Sequence, residues 1–356
     1  MKTTLHLIIL VTVLGAQGTA LGQKGANDYL QFYPMGDAPN MRYITSYRKE
    51  ETILFEANPV VRYSFINNFY KRLLNDSIHA FAVYVAVKPH LRMFVENSLP
   101  VKTPSQRVLI GTQHLYRLST PKGDRGERFV GFSVESGHYS NGQSRSAFSE
   151  DFADASLQGD SLYNLITPQT DLSAILNREG GNFSTNLTEL ILNYRQYRLD
   201  NQNRPKKMHS VSAGLMYYHD KFLFLLPFGG YSDQDIKIYG HYRFLIGYEY
   251  MRVLRQGEGM RITFSHKIEL ISGAHPSVNP YRSETSVGLY PFTGGEPKER
   301  PGKKPKIKDA KAFGFCASFI AGHDNYNYRF VDSGSQFTIG NPNATSSCSC
   351  GASFAV

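Results

Sequence analysis

The chain has 356 residues, with 39 Lys and Arg against 30 Asp and Glu for a formal net charge of +9, no Trp, 23 Tyr, 23 Phe and 31 Gly. Mean hydropathy is −0.35. Past the first twenty-odd residues no apolar run approaches the about 20 residues that a membrane-spanning helix needs, which excludes a helical membrane protein. Cys316, Cys348 and Cys350 are odd in number and clustered, so they form neither a dispersed disulfide framework nor a metal knuckle.

The N-terminus carries Lys2, an apolar run from Leu5 to Leu14, and then the small residues Gly15, Ala16, Gly18 and Ala20. That order is a signal peptide, with cleavage expected between Ala20 and Gln23. Its apolar core is too short to cross roughly 30 Å of hydrocarbon, and no Cys stands near the cleavage region to carry a lipid. Residues 1–22 are therefore expected to be an export leader. Export argues against nucleic acid as a partner, and the positive balance suits a surface facing anionic lipid or lipopolysaccharide. Residues 23–60 are mixed in character and read as an N-terminal extension ahead of a domain spanning 61–356.

Period-two alternation dominates that domain. Candidate strands fall at 78–88, 106–118, 127–140, 185–199 and 208–226. From Ile236, the residues Ile236, Ile238, Tyr242, Phe244, Ile246, Tyr248 and Tyr250 share one face, with Lys237, His241, Arg243, Gly247 and Glu249 on the other. From Arg261, Ile262, Phe264, Ile268 and Leu270 alternate with Arg261, Thr263, Ser265, Lys267 and Glu269. Further strands are expected at 281–292, 312–322 and 335–340, with polar, Gly- or Pro-containing stretches between them. Strands of soluble sandwiches average about 5–6 residues, and several of these run well past that. Long strands, apolar on one face and charged on the other, predict an all-β fold: a transmembrane antiparallel β-barrel with a polar interior. Closure satisfies every backbone hydrogen bond, as lipid requires. Two connections are long: Asn141 to Phe183 is polar and rich in Ser and Asp, and the Lys- and Pro-rich Thr293 to Lys311 is expected to be a solvated loop.

The stretch Glu127 to Gln143, ERFVGFSVESGHYSNGQ, carries the chemistry. One face reads Val130, Phe132, Val134, Ser136, His138, Ser140, and the other reads Phe129, Gly131, Ser133, Glu135, Gly137. The apolar face should meet lipid, which places His138 and Ser140 on the outer wall near the strand end. Two residues apart on one strand, they share that face. A neutral imidazole can take the serine proton and turn the hydroxyl into a nucleophile.

His138-Tyr139-Ser140-Asn141-Gly142 resembles the His-x-Ser-Asn-Gly motif of the outer-membrane phospholipase A family. Ser98-Leu99-Pro100-Val101 is similar to that family's Ser-x-Pro segment, and Asp235 to Tyr248 (DIKIYGHYRFLIGY) resembles one of its later strands. The resemblance implies a barrel of about 12 strands in a bacterial outer membrane. It implies acyl-ester hydrolysis of membrane phospholipids, with Ser140 as nucleophile, His138 as general base and an Asn on the next strand holding the imidazole. Ser184-Thr185-Asn186 matches the family's Ser-x-Asn and makes Asn186 the expected third member, ahead of Asn182 and Asn193. It further implies Ca2+ bound by oxygen ligands at a homodimer interface. Ser98, the backbone of Gln143 and Asn182 are the matching positions, and Asp151, Asp154 and Asp160 offer nearby carboxylates.

Two departures stand out. The connection between the motif and Asn186 is much longer than in the family, and residue 143 is Gln where the family has Arg. His-Tyr-Ser-Asn also resembles the motif of lipid A deacylases, in which a glutamate orients the histidine. Glu150 or Glu189 would then take that part. A non-enzymatic outer-membrane barrel is the remaining alternative. The C-terminal stretch SSCSCGASFAV lacks the terminal aromatic common in barrel chains.

Overall fold

The computed structural model describes residues 40–46, 53–69, 72, 77–94, 104–118, 126–177, 180–199, 205–255, 260–293, 312–323 and 330–340. The expected signal peptide at residues 1–22, Ser98, the 294–311 part of the Lys-rich connection, Cys348 and Cys350 lie outside them. The strands are β1 (Asn40–Ser46), β2 (Ile53–Asn58), β3 (Val61–Asn67), β4 (His79–Phe94), β5 (Ser105–Leu118), β6 (Gly126–Ser140), β7 (Ser184–Leu199), β8 (Pro205–His219), β9 (Gly240–Arg255), β10 (Met260–Ala274), β11 (Tyr281–Thr293), β12 (Ala312–His323) and β13 (Phe330–Gly340). Among the described residues, the helices α1 (Leu157–Leu165), α2 (Leu172–Ile175) and α3 (Asp233–Tyr239) interrupt them. No helix among the described residues is long and apolar enough to cross a membrane.

From β4 to β13 each strand pairs antiparallel with the next in sequence. β1 then pairs with β13 on one edge and β2 on the other, and β2 pairs with β4. The ladder thus returns to its start as an antiparallel β-barrel. β2 and β3 lie end to end along the same edge of β4, broken by Pro59, which cannot donate to a ladder. β1 and β2 fall within residues 23–60, where an N-terminal extension was expected. Closure explains the difference, because the last strand needs an edge to pair with, and the short polar runs that supply it carry a weak alternation signal.

Burial alternates along the strands and settles which face is which. On β6, Phe129, Gly131, Ser133, Glu135, Gly137 and Tyr139 are buried, while Val130, Phe132, Val134, Ser136, His138 and Ser140 are more open. On β9, Phe244, Ile246 and Tyr248 are exposed, whereas Arg243 is buried. The barrel is therefore polar within and apolar without, the inverse of a soluble protein.

Ion pairs wire the interior. Glu135 accepts from Lys88 Nζ and from Tyr84 Oη (2.8 Å), with Arg62 at 3.9 Å. Glu56 meets His90 at 3.3 Å and Arg92 at 3.2 Å, and Arg243 meets Glu269 at 3.7 Å. Removing one partner of a buried pair strands the other, at about 3–5 kcal/mol. Glu135→Ala is accordingly expected to lower the unfolding free energy by at least about 2 kcal/mol when measured by urea denaturation in lipid vesicles, and an unchanged value would show that lumen water replaces the carboxylate. At the loop end, Tyr139, Phe183, Tyr218, Tyr231 and Tyr239 stack edge to face. Arg107 lies over Tyr139 and Arg243 over Tyr218, at 4.8 and 3.7 Å.

Three connections add to or correct the sequence reading. The long polar connection 141–183 contains α1 and α2, buries Ala147, Phe148 and Leu172, and sets the Phe148 ring edge to face with Tyr163. Residues 220–226 leave the sheet, because β8 ends at His219. Ile236 and Ile238 belong to α3, not to a strand. Ser232 Oγ accepts from Asp235 N (3.1 Å) and Asp235 Oδ2 accepts from Ser232 N (3.0 Å). This reciprocal cap starts a helix, and Gly240, at φ 72, ends it.

Candidate active site

β6 and β7 place the site. Their register sets His138 directly opposite Asn186 and Ser140 opposite Ser184. All four belong to the outward-facing set of their strands, and the following strand sets His219 opposite Asn186. The motif's Asn141 and Gly142 end β6. Asn141, buried, donates Nδ2 to Gly181 O (2.7 Å) and accepts at Oδ1 from Gln143 N (3.2 Å) and Phe183 N (3.0 Å). Gly142 has φ 66, in the left-handed region that glycine adopts without strain. These two residues turn the chain off the wall just after Ser140.

His138 Nδ1 stands 3.3 Å from Asn186 Oδ1. An amide could be placed either way round, but here its orientation is determined. Asn186 Nδ2 donates to Asp220 O (3.1 Å), Phe228 O (2.6 Å) and Gly229 O (3.4 Å). Three carbonyls around the nitrogen leave the oxygen for the imidazole, which must therefore donate from Nδ1. The lone pair then sits on Nε2. Among the described residues no hydrogen bond joins Ser140 Oγ to the imidazole. Their Cα atoms are two strand positions apart, roughly 6.6 Å, and such contacts commonly tighten only when substrate arrives.

The segment after β8 covers this pair from outside. The Phe228 ring packs on His138 at 5.1 Å between centroids. Gly229, at φ 65, passes so close that a Cβ there would fall 2.3 Å from His138 Cε1. Phe224 stacks on His219 at 4.2 Å. On the wall beneath, Ser136 Oγ bonds Thr188 Oγ1 (2.8 Å), which bonds His219 Nε2 (3.0 Å). The sequence reading missed the role of this segment, having run a strand through 226. The signal was present in Phe222 to Phe228, FLFLLPF, a run that does not alternate.

The other candidates lie elsewhere. Asn193 faces the interior and donates to Ser210 Oγ (2.8 Å). Asn182 lies in the loop, where Nδ2 donates to Asp154 Oδ2 (2.7 Å). Glu189 pairs in register with Glu135, on the inward face away from His138, and Glu150 is exposed in the 141–183 loop. Burial lifts the Asp235 carboxyl above its ordinary value; the Ser232 hydrogen bonds oppose this, while Asp154 and Asp160 reinforce it.

Of the expected calcium ligands, Gln143 and Asn182 lie close in sequence to the two strand ends at the site. Among the described residues no group of three or more His, Cys, Asp or Glu is placed to hold a metal. The donors on hand are amide and backbone oxygens with the Asp154 carboxylate beside Asn182, a hard-oxygen set that fits calcium in kind.

No protein-family model and no curated protein matches the sequence. Solved structures similar to the chain include the Salmonella typhi outer membrane phospholipase (OMPLA) dimer with bound calcium. It shares 11% identity over 90% of this chain and 97% of that one, with a TM-score of 0.42. Outer membrane phospholipase A from Escherichia coli shares 10% identity over 88% and 95% of the two chains, with a TM-score of 0.39. Likeness at this level carries nothing about chemistry, which rests on the residues themselves.

Proposed function

We infer that the protein is an outer-membrane serine hydrolase that cleaves acyl esters of phospholipids, with Ser140 as nucleophile, His138 as general base and Asn186 as the residue that orients the imidazole. The observation that carries this reading is the His138–Asn186 pair on the same lipid-facing strip as Ser140. Polar side chains on that strip are costly to keep unless they serve a purpose.

In the proposed reaction His138 Nε2 takes the Ser140 proton as Oγ attacks the ester carbonyl. The imidazolium formed is held by Asn186 Oδ1, then returns the proton to the departing lysophospholipid oxygen. Water, deprotonated by the same imidazole, releases the fatty acid from Ser140. A site on the outer wall lets the ester reach Oγ without leaving the bilayer. Pairing of two barrels across this wall would enclose the acyl chains and give a homodimer.

Calcium, held by Gln143 O and by side-chain oxygens of Ser98 and Asn182, would supply positive charge for the developing oxyanion. Chelation is expected to remove at least about 90% of fatty-acid release, with recovery on adding Ca2+ but not Mg2+, which demands a tighter octahedral shell. Full activity in chelator would remove calcium from the proposal.

The test of the reading as a whole is covalent. A fluorophosphonate should label the folded barrel on Ser140, as read by mass spectrometry of the peptide, and not the His138→Ala variant. No labelling in a folded barrel would end the enzyme reading. The lipid A deacylase alternative has less support here, since Glu189 faces the lumen and Glu150 is exposed. A water-filled channel is disfavoured by the ion pairs and aromatic rings that occupy the interior.

A further inference from the structure

Between Asp220 and Gly230 the chain makes a compact excursion with the sequence DKFLFLLPFGG. Phe222 pairs with Leu226 as an isolated bridge, and Leu223 and Phe224 turn the tip at φ 51 and 62. Composition alone would send such a segment inward. Instead Phe224, Leu225, Leu226 and Phe228 are 53%, 79%, 57% and 59% exposed.

Its direction is given by what it touches. Phe224 stacks on His219 and also lies parallel to Tyr217 at 6.4 Å; Phe228 packs on His138. His138, Tyr217 and His219 all occupy outward positions, alternating with the buried Tyr139, Met216 and Tyr218. The excursion is therefore folded against the outer wall and does not cover the barrel mouth. The outward positions of the strands nearby carry further exposed apolar side chains in Leu192, Val211 and Phe244, each at least 48% exposed. In water, four large apolar side chains presented together would be a liability. Against a bilayer they are at home, like the outward band itself.

We propose that residues 221–230 form a lipid-immersed flap whose apolar side chains contact phospholipid acyl chains, making the acyl-facing wall of the site beside His138. The acyl-wall part rests on the hydrolase reading above; the immersion part does not. The flap joins two tasks in one segment. Phe224, Leu225 and Leu226 meet the chains, while the carbonyls of Phe228 and Gly229 hold the Asn186 amide. Loss of lipid contact would loosen the same backbone that orients the imidazole.

The chain has no Trp, so Leu225→Trp introduces a single reporter, and Leu226→Trp serves as a second should the first fold poorly. In phosphatidylcholine vesicles the emission should be blue-shifted, quenched by lipids brominated on the acyl chain, and protected from aqueous iodide. Emission like that of free indole, open to iodide and indifferent to bromine, would overturn the proposal. Shielding from both quenchers would overturn it too, in favour of a second copy of the chain covering the flap. For the acyl wall, the double variant Leu225→Ser, Leu226→Ser should lower the ratio of long-chain to short-chain ester hydrolysis by at least roughly tenfold, as expected for lost methylene contacts. Bromine quenching with an unchanged ratio would refute the acyl wall and leave the immersion. If no Ser140-dependent hydrolysis of any ester occurs, the hydrolase reading and the acyl wall fall together, while the quenching result still decides the immersion.

Discussion

Ser140→Ala is expected to reduce fatty-acid release from mixed phospholipid micelles by about 10⁴-fold or more in kcat/KM, because removing an activated nucleophile leaves only binding and oxyanion stabilisation. His138→Ala should cost about as much, and the double variant little more, since the two act as one unit. The sheet should not notice the serine change: the substitution deletes one hydroxyl at an outward position at the end of β6, whose backbone ladder to β5 and β7 is untouched. The folded barrel can thus be checked by its resistance to unfolding while activity is lost. Substrate choice sharpens the result. Release from phospholipid that vanishes in Ser140→Ala supports the phospholipase reading. Release from lipid A alone would transfer the protein to the deacylases. No release from either by the unaltered barrel would sink the enzyme reading.

The second large effect concerns Asn186, whose amide works at both ends. Its oxygen accepts from His138, and its nitrogen meets three carbonyls of the covering segment. Asn186→Ala removes both functions and should lower kcat by about 10²-fold with little change in KM. This is less than the about 10⁴ seen where a charged carboxylate holds the imidazole, because a neutral amide stabilises the imidazolium less. Asn186→Asp makes a sharper comparison. It restores an acceptor for Nδ1 yet sets a carboxylate against the oxygens of Asp220, Phe228 and Gly229. If imidazole orientation dominates, Asp should recover part of kcat. If holding the segment dominates, Asp should be worse than Ala. Gly229→Ala supplies an independent check, since its methyl would fall on the imidazole; it should reduce kcat while leaving the Asn186 side chain unaltered. Full activity in Asn186→Ala would remove it from the proposed triad.

Legibility from sequence varied with the physics of each segment. β6, β9 and β10 were readable because lipid on one side and a polar lumen on the other impose strict alternation over fifteen or so residues. β1 and β2 were not: they are seven and six residues long, and the place of β1 in the sheet depends on a partner, β13, nearly three hundred residues away in the chain. Ile236 and Ile238 sat at strand-like spacing, and what made that stretch helical was the Ser232–Asp235 cap and Gly240, local signals that the apolar alternation outweighed.

For the candidate site, the outward placement of His138 and Ser140 followed from their alternation with Val130, Phe132 and Val134. No long-range information was needed, because a strand has only two faces. Choosing among Asn182, Asn186 and Asn193 was a different problem, since spacing alone leaves register free and a slip of one residue reverses every side chain. Pairing across β6 and β7 sets Asn186 opposite His138, turns Asn193 inward and leaves Asn182 beside Asp154. The apolar segment after β8 was visible as composition, but its direction was not. Chain statistics say that Phe222 to Phe228 must escape water; only the packing of Phe224 on His219 and Phe228 on His138 decides that it folds against the outer wall. The sequence by itself determined a barrel with a serine and a histidine on its outer wall, because that information is periodic and local. The tertiary structure decided which asparagine meets the histidine and what covers the pair, because register and loop direction arise from contacts between residues far apart in the chain.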